Sequence, residues 1–487
     1  MADIVVHDAA LLTVDERNRL FERGTLVVED GTITEVRSTD PDDAALDANH
    51  VIDGDGTLVL PGLVNAHTHL DLTPLLGAFS DLDLLEMLGS MTAVYTQFAD
   101  GEFDYLIEAG YELAAYNFLA GGITTINTMD VRPGVGVETV GAAGLRGFLG
   151  PAISDLFWDR PVDEQFERAR EFVETHHDTY GGRIRATICP HDDWSCTREL
   201  WERTADFAAE YPDLLVHTHL LELDESDRMA RANGGADSTA LLSDVGLLDD
   251  RLVAAHFRIA DEVDIQRTAE AGAGIAHCPS VFCYWNPDPS TQWTPVPELR
   301  AAGVDVGLGL DDHYWHDSYN LFGEARQARL AANLERGTGQ FQSIELLRML
   351  TVDGARALSV GDEIGSLEPG KRADFLVLDV DTPKFAPRTN LPAQVVNQAT
   401  PADVETVVVD GEFVVEDGTP TRLDGDAVQQ RAEAAVERFV DETGWDLDVG
   451  GGDPPGTVAT ARDIHKRGPA RLLSRLAIQS AKDRFSR

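Results

Sequence analysis

Lysine is almost missing from this chain. Only Lys371, Lys384, Lys466 and Lys482 occur in 487 residues, and arginine supplies the other 35 basic side chains. Basic residues as a whole are outnumbered, 39 against 85 acidic ones, for a formal net charge of −46. A surface of that sign repels nucleic acid and anionic membranes, so neither is an expected partner. Solubility is the plain reading of such a charge; the favoured one is a protein working in concentrated salt, where screening removes the self-repulsion, and the arginine bias fits the same halophilic cytosol. Cysteine is scarce too. Cys189, Cys196, Cys278 and Cys283 form no CxxC pair, which argues against a disulfide framework and for reduced thiols in a cytoplasmic protein. No stretch approaches the ~18 uninterrupted apolar residues of a membrane span. The first residues, MADIVVH, lack a basic segment followed by an apolar one, so no secretory leader is expected. Internal repeats and low-complexity tracts are absent.

What is present can bury a large core. Hydrophobic residues make up 43% of the chain, and its length implies either several domains or one large barrel with additions. Short strand patterns open the sequence at Asp3–Val6, Leu11–Val14, Gly24–Val28 and Thr32–Val36, with Asp30-Gly31 as a hairpin signal between the last two. A second β-rich piece returns late, at Arg372–Asp379, Val404–Val409 and Glu412–Val415. Two half-sets of strands at opposite ends predict one small β-sandwich from residues 1–57 and 359–425. Between them, apolar strands alternate with amphipathic helical stretches. Eight strand candidates (Leu58–Asn65, Gly122–Met129, Leu145–Ile153, Arg183–Cys189, Leu214–Thr218, Leu252–Ala255, Gly272–Ala276 and Asp305–Leu310) are the number a (β/α)8 TIM barrel requires. The fold class expected is therefore α/β, with the barrel over 58–358. Residues 426–487 read as a helical extension: a helix over Asp424–Asp441, a Gly/Pro linker at Val449–Pro455, and a basic tail from Lys466 that docks on an acidic surface.

Such barrels carry their chemistry at the C-terminal ends of the strands, and polar residues gather there. Strand one runs into His67 and His69, strand four into His191, and strand five into His217 and His219 with Glu222 beyond. Strand six ends at His256, strand seven at His277 and strand eight at Asp311 and Asp312. Side chains at i and i+2 of a strand share a face, so His67 and His69 can hold one ion between them, imidazole being a common ligand of Zn(II) and Fe(II). His217 and His219 meet the same condition. A histidine capping a strand is more often a structural hydrogen-bonder; the joint placement of so many at one mouth favours a metal site with acid/base groups.

The ordered set PGLVNAHTHL, the PHxxxxC segment at Pro190–Cys196, HLLE at 219–222, AAH at 254–256, AHCP at 276–279, LGLDD at 308–312 and IGSLEPGKRADFLVLD at 364–379 resembles the metal-dependent amidohydrolase superfamily. The likeness is greatest to its branch of heterocycle deaminases and chlorohydrolases, and runs from about residue 1 to about 425. The resemblance implies a hydrolase with His67, His69, His219 and Asp311 as metal ligands, and it selects His219 over His217. It further implies Glu222 as the acid/base carboxylate, His256 beside the attacking water, and His191 lining the substrate pocket. Binuclear members bridge two metals with a carbamylated barrel lysine. No lysine precedes Lys371 here, so one divalent metal is expected, Zn(II) or else Fe(II).

The reaction implied is hydrolytic deamination at an N=C–NH2 carbon of a small heterocyclic substrate: a nucleobase, nucleoside or pterin. Chlorohydrolysis or related C–Cl, C–S or C–N hydrolysis is the alternative, and a non-catalytic metal- or ligand-binding barrel the more distant one. A homo-oligomer, dimer or larger, is implied as well. The sequence departs from the family after strand seven, where His277-Cys278-Pro279-Ser280-Val281-Phe282 replaces the usual His-Asn-Pro-x-Ser-Asn. His277, Phe282 and Trp285 are accordingly expected against the substrate, the aromatic pair either narrowing the pocket or stacking on a planar base; filling core beneath a loop is the other reading.

Overall fold

In the computed structural model the described residues are 2–40, 48–78, 94–95, 101–156, 160–223, 226–285, 293–313, 318–445 and 447. The chain begins with β1 (Ala2–Leu12), β2 (Leu20–Glu29), β3 (Thr32–Ser38), β4 (Ala48–Asp53) and β5 (Thr57–Pro61). β1 replaces the two short strands expected over 3–14. The chain bends there without leaving the sheet, because the register of β1 against β2 shifts between Val6 and Ala9 and Asp8 adopts φ 60°, the signature of a bulge. From the other end of the chain come β14 (Phe375–Asp379), β15 (Val404–Val409), β16 (Glu412–Glu416) and β17 (Thr419–Pro420). The two sets make one mixed nine-stranded sheet, ordered β17-β16-β15-β14-β5-β1-β2-β3, with β4 added beside β1. It curls around its own core of Ile4, Leu11, Val28, Val59, Phe375 and Val408.

The expected strand over Leu58–Asn65 is in fact two strands in two sheets. β5 pairs with β1 and β14, whereas β6 (Leu63–Thr68) opens the barrel. Gly62 is the joint: its amide donates to Asp374 O in the mixed sheet (3.0 Å), and the next amide, of Leu63, donates to Gly122 O in the barrel (3.0 Å). A Cβ at Gly62 would overlap the Thr124 side chain, so the crossing requires glycine.

The barrel continues through β7 (Ile123–Asp130), β8 (Arg146–Ile153), β9 (Ile184–Pro190), β10 (Leu215–Leu220), β11 (Leu252–His256), β12 (Gly274–His277) and β13 (Val306–Leu308), each parallel to its neighbour. The ring closes where Thr68 bridges Asp311 and the Asp311 amide donates to His67 O (3.0 Å). Apolar side chains fill the floor: Val64, Phe148, Leu215 and Val253 meet Ala355, Leu358 and Ile364, with Ala66, Ala255 and Ala276 in a cluster of their own. The polar residues are left to the mouth.

Outside the barrel, the helix Asp104–Ala120 lies against the C-terminal helix Gly425–Thr443, whose first turn is capped by Asp424 accepting from the Ala427 amide (3.1 Å). The linker at 449–455 and the basic tail from Lys466 lie outside the described residues. Among the described residues, no helix is long and apolar enough to cross a membrane.

Candidate active site

β10 shows how the sequence builds the mouth in layers. Leu215, His217 and His219 project from one face of the strand: Leu215 joins the apolar floor, His217 sits above it and His219 reaches the rim. Both histidines do face inward, and they meet different partners. His217 Nε2 lies 2.8 Å from His67 Nδ1, while His219 Nε2 lies 3.3 Å from His69 Nε2.

On β6 the parity is set by an irregularity against β7 between Asn65 and Thr68, so that His67 and His69 follow Ala66 into the mouth. Two sharp backbone turns complete the ring, His256 with φ 74° and Asp311 with φ 55°. Left-handed backbone at non-glycine residues costs about 1–3 kcal/mol each and survives only where neighbours hold it. Thr294 Oγ1 donates to His256 O (2.7 Å), and Thr68 Oγ1 donates to Asp311 O (2.9 Å).

His67, His69, His219 and Asp311 converge, one ligand-capable atom from each lying within 4.8 Å of the others. On each imidazole Nδ1 is already engaged: His67 on His217, His69 on the carbonyl of Met129, and His219 on the carbonyl of His191 (2.8 Å). That leaves all three Nε2 atoms facing one another and the carboxylate. His67 Nε2 is 3.2 Å and His69 Nε2 3.5 Å from Asp311 Oδ1. Ligands bound at zinc distances on a tetrahedron stand about 3.4 Å apart, so the spacings fit one ion at the centre.

Protonation favours the same use at His67 and His219, while the surrounding carboxylates favour the charged form of His69. Burial holds the His67, His217 and His219 imidazoles below their ordinary pKa, and pushes His256 down to about 3. Burial opposes a charge on His69 as well, but the carboxylates of Asp312, Asp311 and Asp130 outweigh it and raise that ring to about 10. Asp311 is buried yet kept ionised by His256, His67 and His69.

Glu222 follows β10 at the rim, 4.0 Å from His256 Nε2, and that nitrogen is 3.8 Å from Asp311 Oδ2. Burial, reinforced by the Asp311 and Asp192 carboxylates, pushes the Glu222 carboxyl up to about 8. His191 stands just past β9, its Nδ1 on the Asp192 carboxylate and its ring 4.8 Å from that of His219. Phe282 packs edge-on against His256 (centroids 5.2 Å apart). His277 is buried at the end of β12, and burial pushes its ring down to about 3. Trp285 ends the helix Pro279–Trp285, and its side chain lies outside the described residues.

Three participants are not evident from motif reading. His217 fixes the ring of His67. Asp192 holds His191 while also accepting from the Trp194 amide (2.9 Å) and the Ser195 hydroxyl (2.8 Å). Arg258 donates to Glu222 O (2.8 Å) with its guanidinium 5.0 Å from the centre of the Phe282 ring. Each is one or two residues from a motif histidine or in alternation with one, which is the only signal the sequence offers.

The profile of the Amidohydrolase family matches residues 58–414. The 5'-deoxyadenosine deaminase of Methanothermobacter thermautotrophicus is 32% identical over 419 residues, covering 85% of this chain and 95% of that protein. The 5-methylthioadenosine/S-adenosylhomocysteine deaminase of Symbiobacterium thermophilum is 31% identical over 447 residues, covering 91% and 100%. Among solved structures, an adenosine deaminase from Xanthomonas campestris with bound zinc superposes with a TM-score of 0.83 at 26% identity, over 90% of this chain and 99% of that one. A barrel of eight parallel strands, a cluster of imidazoles and carboxylate at its mouth, and relatives matched along nearly their whole length place the chain in the amidohydrolase family.

Proposed function

We propose that the protein is a metal-dependent hydrolytic deaminase acting on an adenosine-type nucleoside altered at its 5' position, the class named for the relatives above. His67, His69 and His219, through their Nε2 atoms, and Asp311 would hold one Zn(II). The convergence of those four atoms, at separations suited to one ion and beside a carboxyl that stays protonated, carries the reading.

When bound, such a cation brings the pKa of a water close to neutrality, making a nucleophile available. Asp311 directs Oδ2 away from the cluster toward His256, where it accepts the proton of the attacking water. His256, neutral because it is buried, orients that water by hydrogen bonding. Glu222 is protonated at neutral pH and delivers its proton to the ring nitrogen next to the amino-bearing carbon. Water adds across the C=N bond, the C–NH2 bond breaks, and ammonia leaves with a 6-oxo purine nucleoside as the other product. His191, held by Asp192, contacts the substrate at the rim, and Phe282 supports the His256 ring.

The reading includes a cytoplasmic homo-oligomer in a salt-rich cell. It is supported by four free thiols, by the net charge, and by Leu330 and Leu334 exposed one turn apart on the helix Leu321–Arg336.

The test is ammonia release by zinc-loaded protein in high salt from 5'-deoxyadenosine, 5'-methylthioadenosine, S-adenosylhomocysteine and adenosine, with guanine and cytosine for contrast. Glu222→Gln is expected to retain zinc and lose about 10²–10⁴-fold in rate. Full activity in that variant overturns the role given to Glu222, and turnover of guanine or cytosine alone overturns the substrate class.

A further inference from the structure

We propose a second cation site, in the mixed sheet and not in the barrel, formed by His7, Asp8 and Asp53. His7 and Asp8 are consecutive, and in a regular strand their side chains leave by opposite faces. The bulge in β1 changes that. Its register against β2 breaks between Val6 and Ala9, and Asp8 takes φ 60°, a conformation that aspartate tolerates better than most residues. Bulges re-aim side chains, and this one brings the Asp8 carboxylate beside the His7 ring. Asp53 arrives from β4, where it is the register partner of His7. One ligand-capable atom from each of the three lies within 4.8 Å of the others.

The His7 side chain is only 8% exposed, and its Nδ1 has no hydrogen-bond partner among the described residues, an expensive arrangement for a buried nitrogen. That nitrogen lies 3.5 Å from Asp8 Oδ2. The distance is long for a hydrogen bond and close to the ~3.4 Å that separates two ligands of one tetrahedral ion. The Asp8 carboxylate is divided between two tasks. Oδ1 accepts from Arg23 Nε (3.0 Å) and Nη2 (2.5 Å), which leaves Oδ2 for the side facing His7. Asp53 is exposed and accepts from the Asp55 amide through Oδ1 (3.3 Å), so its second oxygen is available and the site opens to solvent.

One imidazole and two carboxylates suit a first-row divalent cation such as zinc or cobalt better than magnesium or calcium, which prefer oxygen alone. Three protein ligands leave a fourth position to water. Among the described residues the cluster holds no further imidazole or carboxylate, so the role is a staple: there β4 pairs with β1 alone and is mostly exposed, and a cation shared by His7, Asp8 and Asp53 ties that edge to the sheet.

The site is tested by titrating the metal-stripped full chain with Co²⁺, following both stoichiometry and the visible spectrum. Two equivalents are expected for the wild-type chain. His7→Gln and the surface variant Asp53→Asn should each take one, and His69→Ala should lose the mouth ion while keeping the other. A wild-type stoichiometry of one overturns the proposal. So does a second equivalent that survives in both His7→Gln and Asp53→Asn, which would put both ions at the barrel mouth. Because the His69→Ala arm reads the barrel mouth separately, failure there leaves the outcome for His7 legible.

Discussion

His67 Nδ1 and His217 Nε2 lie 2.8 Å apart, two ring nitrogens sharing one proton at the bottom of the barrel mouth. If His67 is to offer the lone pair of Nε2 to a cation, its proton must sit on Nδ1, so His217 must accept at Nε2 and carry its own proton on Nδ1. The pair thereby fixes a tautomer as well as a ring position. Loss of such a supporting partner typically weakens metal binding about 10–100-fold. His217→Leu is expected to show that loss in competition with a zinc chelator at unchanged secondary structure. His217→Gln, which keeps an acceptor, should recover most of the affinity.

Arg258 sets a pH limit. Its guanidinium favours the ionised form of Glu222, opposing the burial that raises that carboxyl to about 8. In Arg258→Met the positive charge is gone and Glu222 holds its proton to higher pH. For an acid that must be protonated to act, activity falls as pH rises through its pKa. The descending limb of the kcat/KM profile therefore moves to more alkaline pH in the variant, and a shift to lower pH refutes the assignment.

Arg146 is buried on β8 with Asp374 and Asp410 as partners: Nε to Asp374 at 3.1 Å and Nη2 to Asp410 at 2.8 Å. It joins barrel to mixed sheet. Removing one partner of a buried pair leaves an uncompensated charge and costs about 3–5 kcal/mol, so Arg146→Ala, which strips buried Asp374 of its cation, should lower the urea midpoint sharply. Breaking the exposed Arg438–Glu442 pair should move the midpoint little. High salt should erase the second effect and leave the first.

The excess of acidic groups carries a prediction of its own. At a net charge of −46 the folded chain repels itself, and salt at molar concentration shortens the reach of that repulsion to ~3 Å. The melting temperature should rise with KCl from dilute buffer to molar salt. A melting temperature indifferent to salt excludes self-repulsion as a significant load on the fold.

The barrel was legible because its strands are buried and its helices amphipathic, and the site because histidines fall at strand ends with a spacing of two. The limits are equally physical. His217 and His219 have the same parity, and only the depth of each layer tells which reaches the rim. The apolar run from Thr57 to Val64 carries no mark of the change of sheet, since strands on both sides of Gly62 are buried and the break follows from crowding by Thr124. Asp192 and Arg258 are ordinary charged residues in the sequence and acquire meaning from what they touch.

The joint at Gly62 has a bearing on synthesis. The strand that delivers His67 begins one residue beyond β5, and β5 finds its neighbour Leu376 on β14, more than three hundred positions downstream. Domains acquire their structure as the ribosome releases them, and β5 can pair with β1, already made, before β14 emerges. The ligand set, by contrast, is complete only once Asp311 has been made, 244 positions after His67.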